Sequence, residues 1–171
     1  MQLIIALRTV ISQLLLAAVS MNSHNSTPNK YILMNVKEPF FKAWRNCQFY
    51  GLQLASVTSP EDNRMLSELV NMPIHGNSTF WLAGTDIGRE AKWLWITTNK
   101  LVVLYSHWGG MAPEYDDKQN CMAAGLFVED KTLWADIPCE ESHQYVCQES
   151  SVKNAVIPFL SGRLKLNNTK V

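Results

Sequence analysis

Two segments in the first half of the chain carry apolar residues at the spacing of an amphipathic helix. In the first, Phe40, Trp44 and Cys47 recur at intervals of about 3.6 residues. Pro39 suits the first helical turn, where an amide hydrogen would stay unbonded, and Gly51 suits the left-handed conformation that ends many helices. The pattern predicts a helix that carries the first cysteine.

A second helix is predicted to begin after Ser59. The Ser59 hydroxyl can cap the helix, Pro60 suits the first turn, and Asp62 occupies the third helical position, close to a capping box. The apolar face that follows consists of Met65, Leu66, Leu69 and Val70.

Strand-like patterns precede and follow these helices. Residues 30–36 and 80–86 have β-favouring content, and residues 92–108 are rich in aromatic and β-branched side chains. Residues 109–120 have the composition of a loop, and the segments CMAAGLF, TLWAD and QYVCQ predict three more short strands. The order of elements predicts an α+β fold with an antiparallel sheet, since alternating βαβ units are absent from the pattern.

Both ends of the chain differ from this middle part. Residues 1–20 form an apolar run with Ala18 and Ser20 at the −3 and −1 positions of a signal-peptidase site, so we expect a signal peptide. An uncleaved membrane anchor is the alternative, although Arg8 and Gln13 interrupt the ~20 apolar residues that a spanning helix needs. The predicted division is signal peptide 1–20, flexible lead 21–29, domain 30–148 and tail 149–171.

Other features bear on export and on the tail. Asn25, Asn77 and Asn167 each begin an N-x-[ST] sequon, which suits a glycoprotein of the secretory route. The tail contains the apolar stretch AVIPFLSGRLKL, in which Pro158 and Gly162 exclude a long helix. We expect the tail to be an appendage, either disordered or packed on a partner.

The cysteines can be read in two ways. Cys47, Cys121, Cys139 and Cys147 are an even set in a chain that we expect to be exported, so disulfides are favoured. Of the three pairings, we favour the nested one, in which Cys121–Cys139 closes a short loop for ~3 kcal/mol and Cys47–Cys147 joins the two ends of the domain. The alternative is a zinc site that adds His143 to the thiolates, but it lacks a C-x-x-C knuckle.

Charge and motifs exclude several classes of function. The chain has 15 basic and 15 acidic residues and no long run of one sign, so it lacks the basic surface that nucleic-acid binding requires. Motifs of metalloproteases, serine hydrolases and phosphate-binding loops are absent from the sequence. We therefore expect a protein that is not an enzyme and has no membrane span once the leader is removed.

The order of several segments resembles a C-type lectin domain, in particular the short secreted form common in insects. The segments are FFKAWRNCQFYGLQLASV, FWLAGTD, KWLWITT, HW, APE and WADIPCEESHQYVCQ, together with the cysteine spacing. The resemblance implies paired terminal strands, two helices flanking small antiparallel sheets, a long loop region that carries the ligand site, and the same nested disulfides.

The resemblance also implies where calcium and sugar ligands would lie. The family's ligand motif falls on Ala112, Pro113, Glu114, Gln119, Ala135 and Asp136. Ala112 and Ala135 carry no side-chain oxygen, whereas calcium takes 6–8 oxygen ligands. Glu114, Gln119 and Asp136 remain as residual calcium candidates in a degenerate motif, so we expect no cofactor. A remodelled calcium site that recruits Asp116 and Asp117 is the alternative.

The family's function leads to an expected activity and a rival. We expect a secreted, extracellular protein that binds glycans through the loop around Glu114, Gln119 and Asp136, with Asp116, Asp117 and Trp108 as further candidate ligand contacts. Of the other tryptophans, Trp44, Trp81 and Trp134 have core-like positions, whereas Trp93 and Trp95 flank the loop. The rival function is a structural or adhesive matrix or cuticle protein that binds extracellular proteins or surfaces.

Overall fold

The computed structural model describes residues 29–114 and 118–150. The helices are α1 (Phe40–Phe49) and α2 (Pro60–Val70), followed by a 3-10 turn (Pro73–His75). The strands are β1 (Tyr31–Glu38), β2 (Leu52–Leu54), β3 (Phe80–Thr85), β4 (Leu94–Trp95), β5 (Lys100–Leu101), β6 (Cys121–Ala124), β7 (Trp134–Ile137) and β8 (His143–Glu149). The predicted α+β class is confirmed.

Strand β8 is the centre of the sheet. It pairs antiparallel with β1 and with β2, so the two ends of the described domain lie side by side as expected. Its first residues pair parallel with the start of β3, through Phe80 opposite Gln144 and Trp81 opposite Tyr145. The sheet is therefore mixed, and the expectation of purely antiparallel pairing was wrong at this contact. Strands β4 and β5 extend the sheet beyond β3, and β6 joins β3 to β7.

The segment 92–108 departs most from the sequence pattern. Its aromatic and β-branched residues predicted extended strands, yet β4 and β5 are each only two residues long. Trp93 and Trp95 are buried in the core, so their bulk serves packing. In the other direction, β2 is a strand that the pattern did not predict, because three residues between a helix and a loop give too short a signal.

The helices begin and end near the predicted residues. Pro39 is the residue before α1 rather than its first member, and Gly51 follows the helix with a φ of 69°, the left-handed conformation expected there. The Ser59 side chain accepts a hydrogen bond from the Asp62 amide at 3.1 Å, which confirms it as the cap of α2.

Two disulfides connect the core. Cys47–Cys147 joins α1 to β8, and Cys121–Cys139 joins β6 to the turn after β7. The nested pairing is confirmed, and the zinc alternative is wrong because all four thiols are consumed in disulfides. The side chain of His143 contacts the Glu141 carboxylate instead, at 2.8 Å.

Several expectations concern residues at the edges of the described part. The predicted leader, the lead up to residue 28, the sequons at Asn25 and Asn167, and residues 151–171 of the tail lie outside the described residues. Asn77 lies in an exposed turn, where its sequon stays a prediction. Among the residues that the structure describes, no helix is long and apolar enough to cross a membrane.

Asp62 connects the start of β1 to the start of α2. Its carboxylate accepts hydrogen bonds from the Thr58 amide at 2.9 Å and the Thr58 hydroxyl at 2.8 Å, and it pairs with the Lys30 ammonium at 2.8 Å. Burial by itself would raise the pKa of Asp62, but the hydrogen bonds from Lys30 and Thr58 outweigh it and lower the pKa below its usual value.

Replacing Asp62 with Asn should destabilise the domain by about 1–3 kcal/mol at pH 7, because the ion pair and charge-assisted hydrogen bonds are lost. The pKa of Asp62 is lowered in the folded state. The ionised carboxylate therefore adds to the free energy of unfolding at pH values above the ordinary pKa of about 3.9. This stabilisation is lost as the pH falls through the lowered pKa. Denaturant unfolding at pH 7 and pH 2.5 should therefore show the difference from wild type shrinking in acid. The exposed Glu129→Gln is the control; an equal difference at both pH values would contradict the assignment.

Gly125 is a second position where the fold constrains the residue type. Its φ is 95°, and a Cβ added there would lie 2.2 Å from the Ser78 carbonyl oxygen. Gly125→Ala should therefore cost roughly 2 kcal/mol more than Gly88→Ala. Gly88 has a similar φ of 87° but open space around it, so it isolates the steric clash from the backbone strain. Equal losses in chemical denaturation would show that the clash is relieved by movement.

Candidate functional site

The long loop is fixed to β7 by three hydrogen bonds. The Trp134 amide donates to the His107 carbonyl at 2.8 Å, and the Gly109 amide donates to the Trp134 carbonyl at 3.0 Å. The Glu114 amide then donates to the Asp136 carboxylate at 2.7 Å. Because Trp134 and Asp136 are two residues apart on one strand, β7 sets the position of the loop from His107 to Glu114.

The loop turns sharply between these contacts. The Ala112 amide donates to the Gly109 carbonyl at 2.9 Å, and the Ala112–Pro113 peptide bond is cis. The sequence could not decide this isomer, since both forms of an X–Pro bond are accessible. The cis bond is followed directly by Glu114, whose amide is the one held by Asp136.

Asp136 is buried at the base of the loop. Burial raises the pKa of its carboxyl group above the usual value, and the nearby charges of Glu114 and Asp86 act in the same direction. Hydrogen bonds from the Asp136 and Glu114 backbone amides oppose this rise without cancelling it. Asp136 therefore anchors the loop backbone, a role that its position in the ligand motif did not reveal.

Glu114 and Gln119 are brought together with Asp136, as the sequence motif predicted. The Gln119 amide nitrogen donates to the Glu114 carboxylate at 3.1 Å, and Glu114 is exposed whereas Gln119 is half-buried. Two further candidates, Asp116 and Asp117, lie outside the described residues, so the remodelled calcium site that would use them stays a hypothesis.

The described donors do not fit a calcium cage of the family type. Ala112 and Ala135 contribute no side-chain oxygen, and an oxygen of Asp136 and one of Glu114 already accept hydrogen bonds within the protein. Across residues 29–114 and 118–150, no group of three or more acidic, histidine or cysteine side chains could hold a metal ion. Of the family's side-chain ligand positions, only Glu114, Gln119 and Asp136 carry an oxygen donor among the described residues.

The structure buries more of the tryptophans than the sequence pattern predicted. Trp81 and Trp134 are buried as expected, but so are Trp93 and Trp95, so neither of the latter presents a ring face to a sugar. Trp108 is half-buried: its ring packs edge-to-face on Trp93, with centroids 4.8 Å apart, and on Trp134, at 5.7 Å. Of the tryptophans that flank the loop, Trp108 keeps a solvent-facing part.

A polar cluster beside the loop was not found by sequence reasoning. His107 contacts the Asp130 carboxylate at 3.3 Å and the Thr132 hydroxyl at 3.1 Å, and the Asn63 amide donates to the same hydroxyl at 3.0 Å. These four residues come from α2, the loop and the turn before β7. No spacing in the sequence could have brought them together, since Asn63 and Thr132 are 69 positions apart.

The sequence of this domain matches a known protein family. A family profile described as the Lectin C-type domain matches residues 36–149. The chain belongs to the C-type lectin domain family. This is a carbohydrate-binding and non-enzymatic family. The match confirms the resemblance to a C-type lectin domain that the sequence segments indicated. The described ends of this C-type lectin domain, at β1 and β8, meet in the sheet.

Relatives and solved structures support the assignment. The domain is 29% identical over 125 residues to the C-type lectin mosGCTL-7 of Aedes aegypti, covering 70% of this chain and 83% of that protein. Human lithostathine has a similar structure, with a TM-score of 0.64, 22% identity, and coverage of 75% of this chain and 94% of that one. A calcium-independent type II antifreeze protein has a TM-score of 0.60 and 24% identity, covering 70% of this chain and 85% of its own.

Two variants of Asp136 should separate its anchoring role from its charge. Asp136→Ala leaves the Glu114 amide without an acceptor, so we expect a loss of about 1–3 kcal/mol and faster hydrogen exchange at that amide. Asp136→Asn keeps an acceptor oxygen and removes the buried charge, so stability at pH 7 should be retained. Both variants are tested by denaturant unfolding and by hydrogen exchange. Fast exchange of the Glu114 amide in Asp136→Asn as well would show that an acceptor oxygen at position 136 is not enough to hold this amide.

The pH dependence supplies a second check on the same pair. The pKa of Asp136 is raised in the folded state, so the wild-type protein gains stability as the pH falls from neutral through that raised pKa towards about 3.9. Asp136→Asn lacks this gain. In denaturant unfolding, the free energy of unfolding of Asp136→Asn relative to wild type should therefore decrease as the pH falls from neutral towards about 3.9.

Proposed function

We propose that this chain is a secreted, non-enzymatic protein that binds extracellular glycans through the surface formed by Ala112–Glu114, Gln119 and Asp136, without the calcium-dependent monosaccharide site common in its family. The observation that carries the proposal is the hydrogen-bonded chain from Gln119 through Glu114 to Asp136. These residues are bonded to one another, and the alanines beside them cannot complete a cage.

The same surface has the chemistry to contact a sugar directly. Glu114 exposes a carboxylate that can accept hydrogen bonds from vicinal hydroxyls, and Gln119 supplies an amide. Trp108 adds a partly exposed indole, whose face can pack against the apolar side of a pyranose ring. Charge-assisted hydrogen bonds and ring contact would then replace the coordination that a metal provides in other members.

Secretion is the second part of the proposal. The predicted leader and sequons indicate export, and two disulfides are stable in the oxidising compartments that an exported chain passes through. Binding of extracellular partners follows from this location. It does not require a membrane span.

A protein or surface ligand is the second candidate. Met111, in the loop before Ala112, is 90% exposed, which favours contact with an apolar surface over contact with a sugar. The calcium-independent antifreeze protein shows that the same fold exists in a calcium-independent form. An adhesive role in matrix or cuticle would use the same loop.

Calcium titration and a glycan array should decide between these candidates. The protein is produced through a secretory route so that both disulfides form, and it is titrated with calcium by calorimetry. It is then applied to the array with and without chelator. We expect no heat of calcium binding and a glycan signal that chelator leaves unchanged. A chelator-sensitive signal would establish the remodelled calcium site, and no glycan signal in either condition would favour the adhesive function.

A gain-of-function variant should test the alignment of the site. Ala112→Glu combined with Ala135→Asn restores the two missing oxygen ligands beside Glu114 and Asp136. We expect calorimetry to show calcium binding with a dissociation constant of roughly 1 mM or lower. Val128→Glu, which adds an acid at an exposed position outside the loop, should show no binding. Failure of the double variant, if it folds, would contradict the assigned positions.

A further inference from the structure

A groove lies beside the edge strand β5, and none of the candidate site residues lines it. It has a volume of about 510 Å³. Leu101, Val103, Leu104 and Tyr105 line it from β5 and the segment that follows, and Gln148 and Glu149 line it from the end of β8. We call this cavity the β5 groove. Its volume is in the range of cavities that bind organic ligands.

The solvent-facing part of the β5 groove carries three exposed aliphatic side chains, next to the exposed Lys100. Leu101 is 55% exposed, Val103 72% and Leu104 97%. Within the described part of the chain, β5 pairs only with β4, so its other edge faces solvent. Neighbouring exposed aliphatic side chains along a sheet edge are uncommon in monomeric proteins and indicate a surface that something covers.

The polar groups of the groove favour an apolar occupant over a sugar. The Gln148 side chain accepts a hydrogen bond from the Ser56 amide at 2.9 Å, and the Gln53 side chain contacts the Glu149 carbonyl at 3.5 Å. The Ser56 hydroxyl is bonded to Thr97 at 3.0 Å. These groups already have protein partners, so the free part of the surface consists mainly of the aliphatic side chains, with the exposed Lys100 beside them.

The chain itself supplies a segment of the right chemistry close by. Glu149 lines the groove, and the apolar run AVIPFL, residues 155–160, begins six positions later. An extended chain spans up to about 3.3–3.6 Å per residue, so these positions give a reach of roughly 20 Å. The other flank of the domain, residues 21–28, is MNSHNSTP and offers no such run.

We propose that residues 155–160 dock in the β5 groove of the same chain and cover Leu101, Val103 and Leu104. Burying these side chains with Ile157, Phe159 and Leu160 removes apolar surface from water at a low entropic cost, because the two partners are joined by a short linker. Docking would also cover the free edge of β5, which could otherwise pair with a second molecule.

Hydrogen exchange on the full chain tests the docking from both sides. Phe159→Asp in the tail should speed exchange of residues 100–105 by about tenfold, and Leu104→Asp in the groove should speed exchange of residues 155–160 by a similar factor. Leu104 is 97% exposed, so its substitution should leave the folded core intact.

Two matched variants control for the added charge. Leu166→Asp changes an apolar residue of the tail outside the docking segment, and Val128→Asp changes a side chain that is 83% exposed elsewhere on the domain. Neither should alter exchange at residues 100–105 or 155–160. An effect of the controls as large as that of Phe159→Asp and Leu104→Asp would overturn the proposal, because the response would then be unspecific.

Other results also have defined meanings. Exchange of residues 100–105 that Phe159→Asp leaves unchanged would overturn docking of this segment. Protection that disappears on dilution, together with a dimer mass by light scattering, would show that the tail of a second copy occupies the groove, which also contradicts docking within one chain. Reciprocal effects in a monomer that persist on dilution would support it.

Discussion

Strand β8 is hydrogen-bonded to three other strands, and the positions of most elements follow from it. β1 and β2 pair with it antiparallel, and β3 pairs parallel with its first residues. Cys147, on the same strand, binds α1 through its disulfide with Cys47. A buried strand with partners on both edges cannot shift by one residue without moving its apolar side chains to the wrong face. The register of β8 therefore fixes the frame on which the loops are built.

The long loop from His107 to Glu114 is attached to this frame indirectly, through β3, β6 and β7. β6 pairs with β3 and β7 pairs with β6, so each step of the sheet positions the next. The Trp134 backbone and the Asp136 carboxylate of β7 then form hydrogen bonds with the loop. The loop is thus held at two positions of one short strand, Trp134 and Asp136, while Glu114 remains exposed at the surface.

The residues at the family's calcium positions have hydrogen-bond partners within the protein. Asp136 accepts a hydrogen bond from the Glu114 amide through one carboxylate oxygen, and the Glu114 carboxylate accepts one from the Gln119 side chain. Buried charges need such partners, because an unpaired carboxylate away from water is costly. In this chain the hydrogen bond from the Glu114 amide offsets part of the cost of burying Asp136, and the pKa of Asp136 stays raised.

The sequence alone determined features that depend on residues close together in the chain, and features for which few alternatives exist. The cap at Ser59 and the turn at Gly51 depend on residues a few positions apart, and the nested disulfides follow from few alternatives together with a family pattern. Only the tertiary structure decided the parallel contact of β3 with β8, the burial of Trp93 and the acceptor role of Asp136. These depend on which distant segments meet, and one sequence carries no record of pairing between residues far apart in the chain.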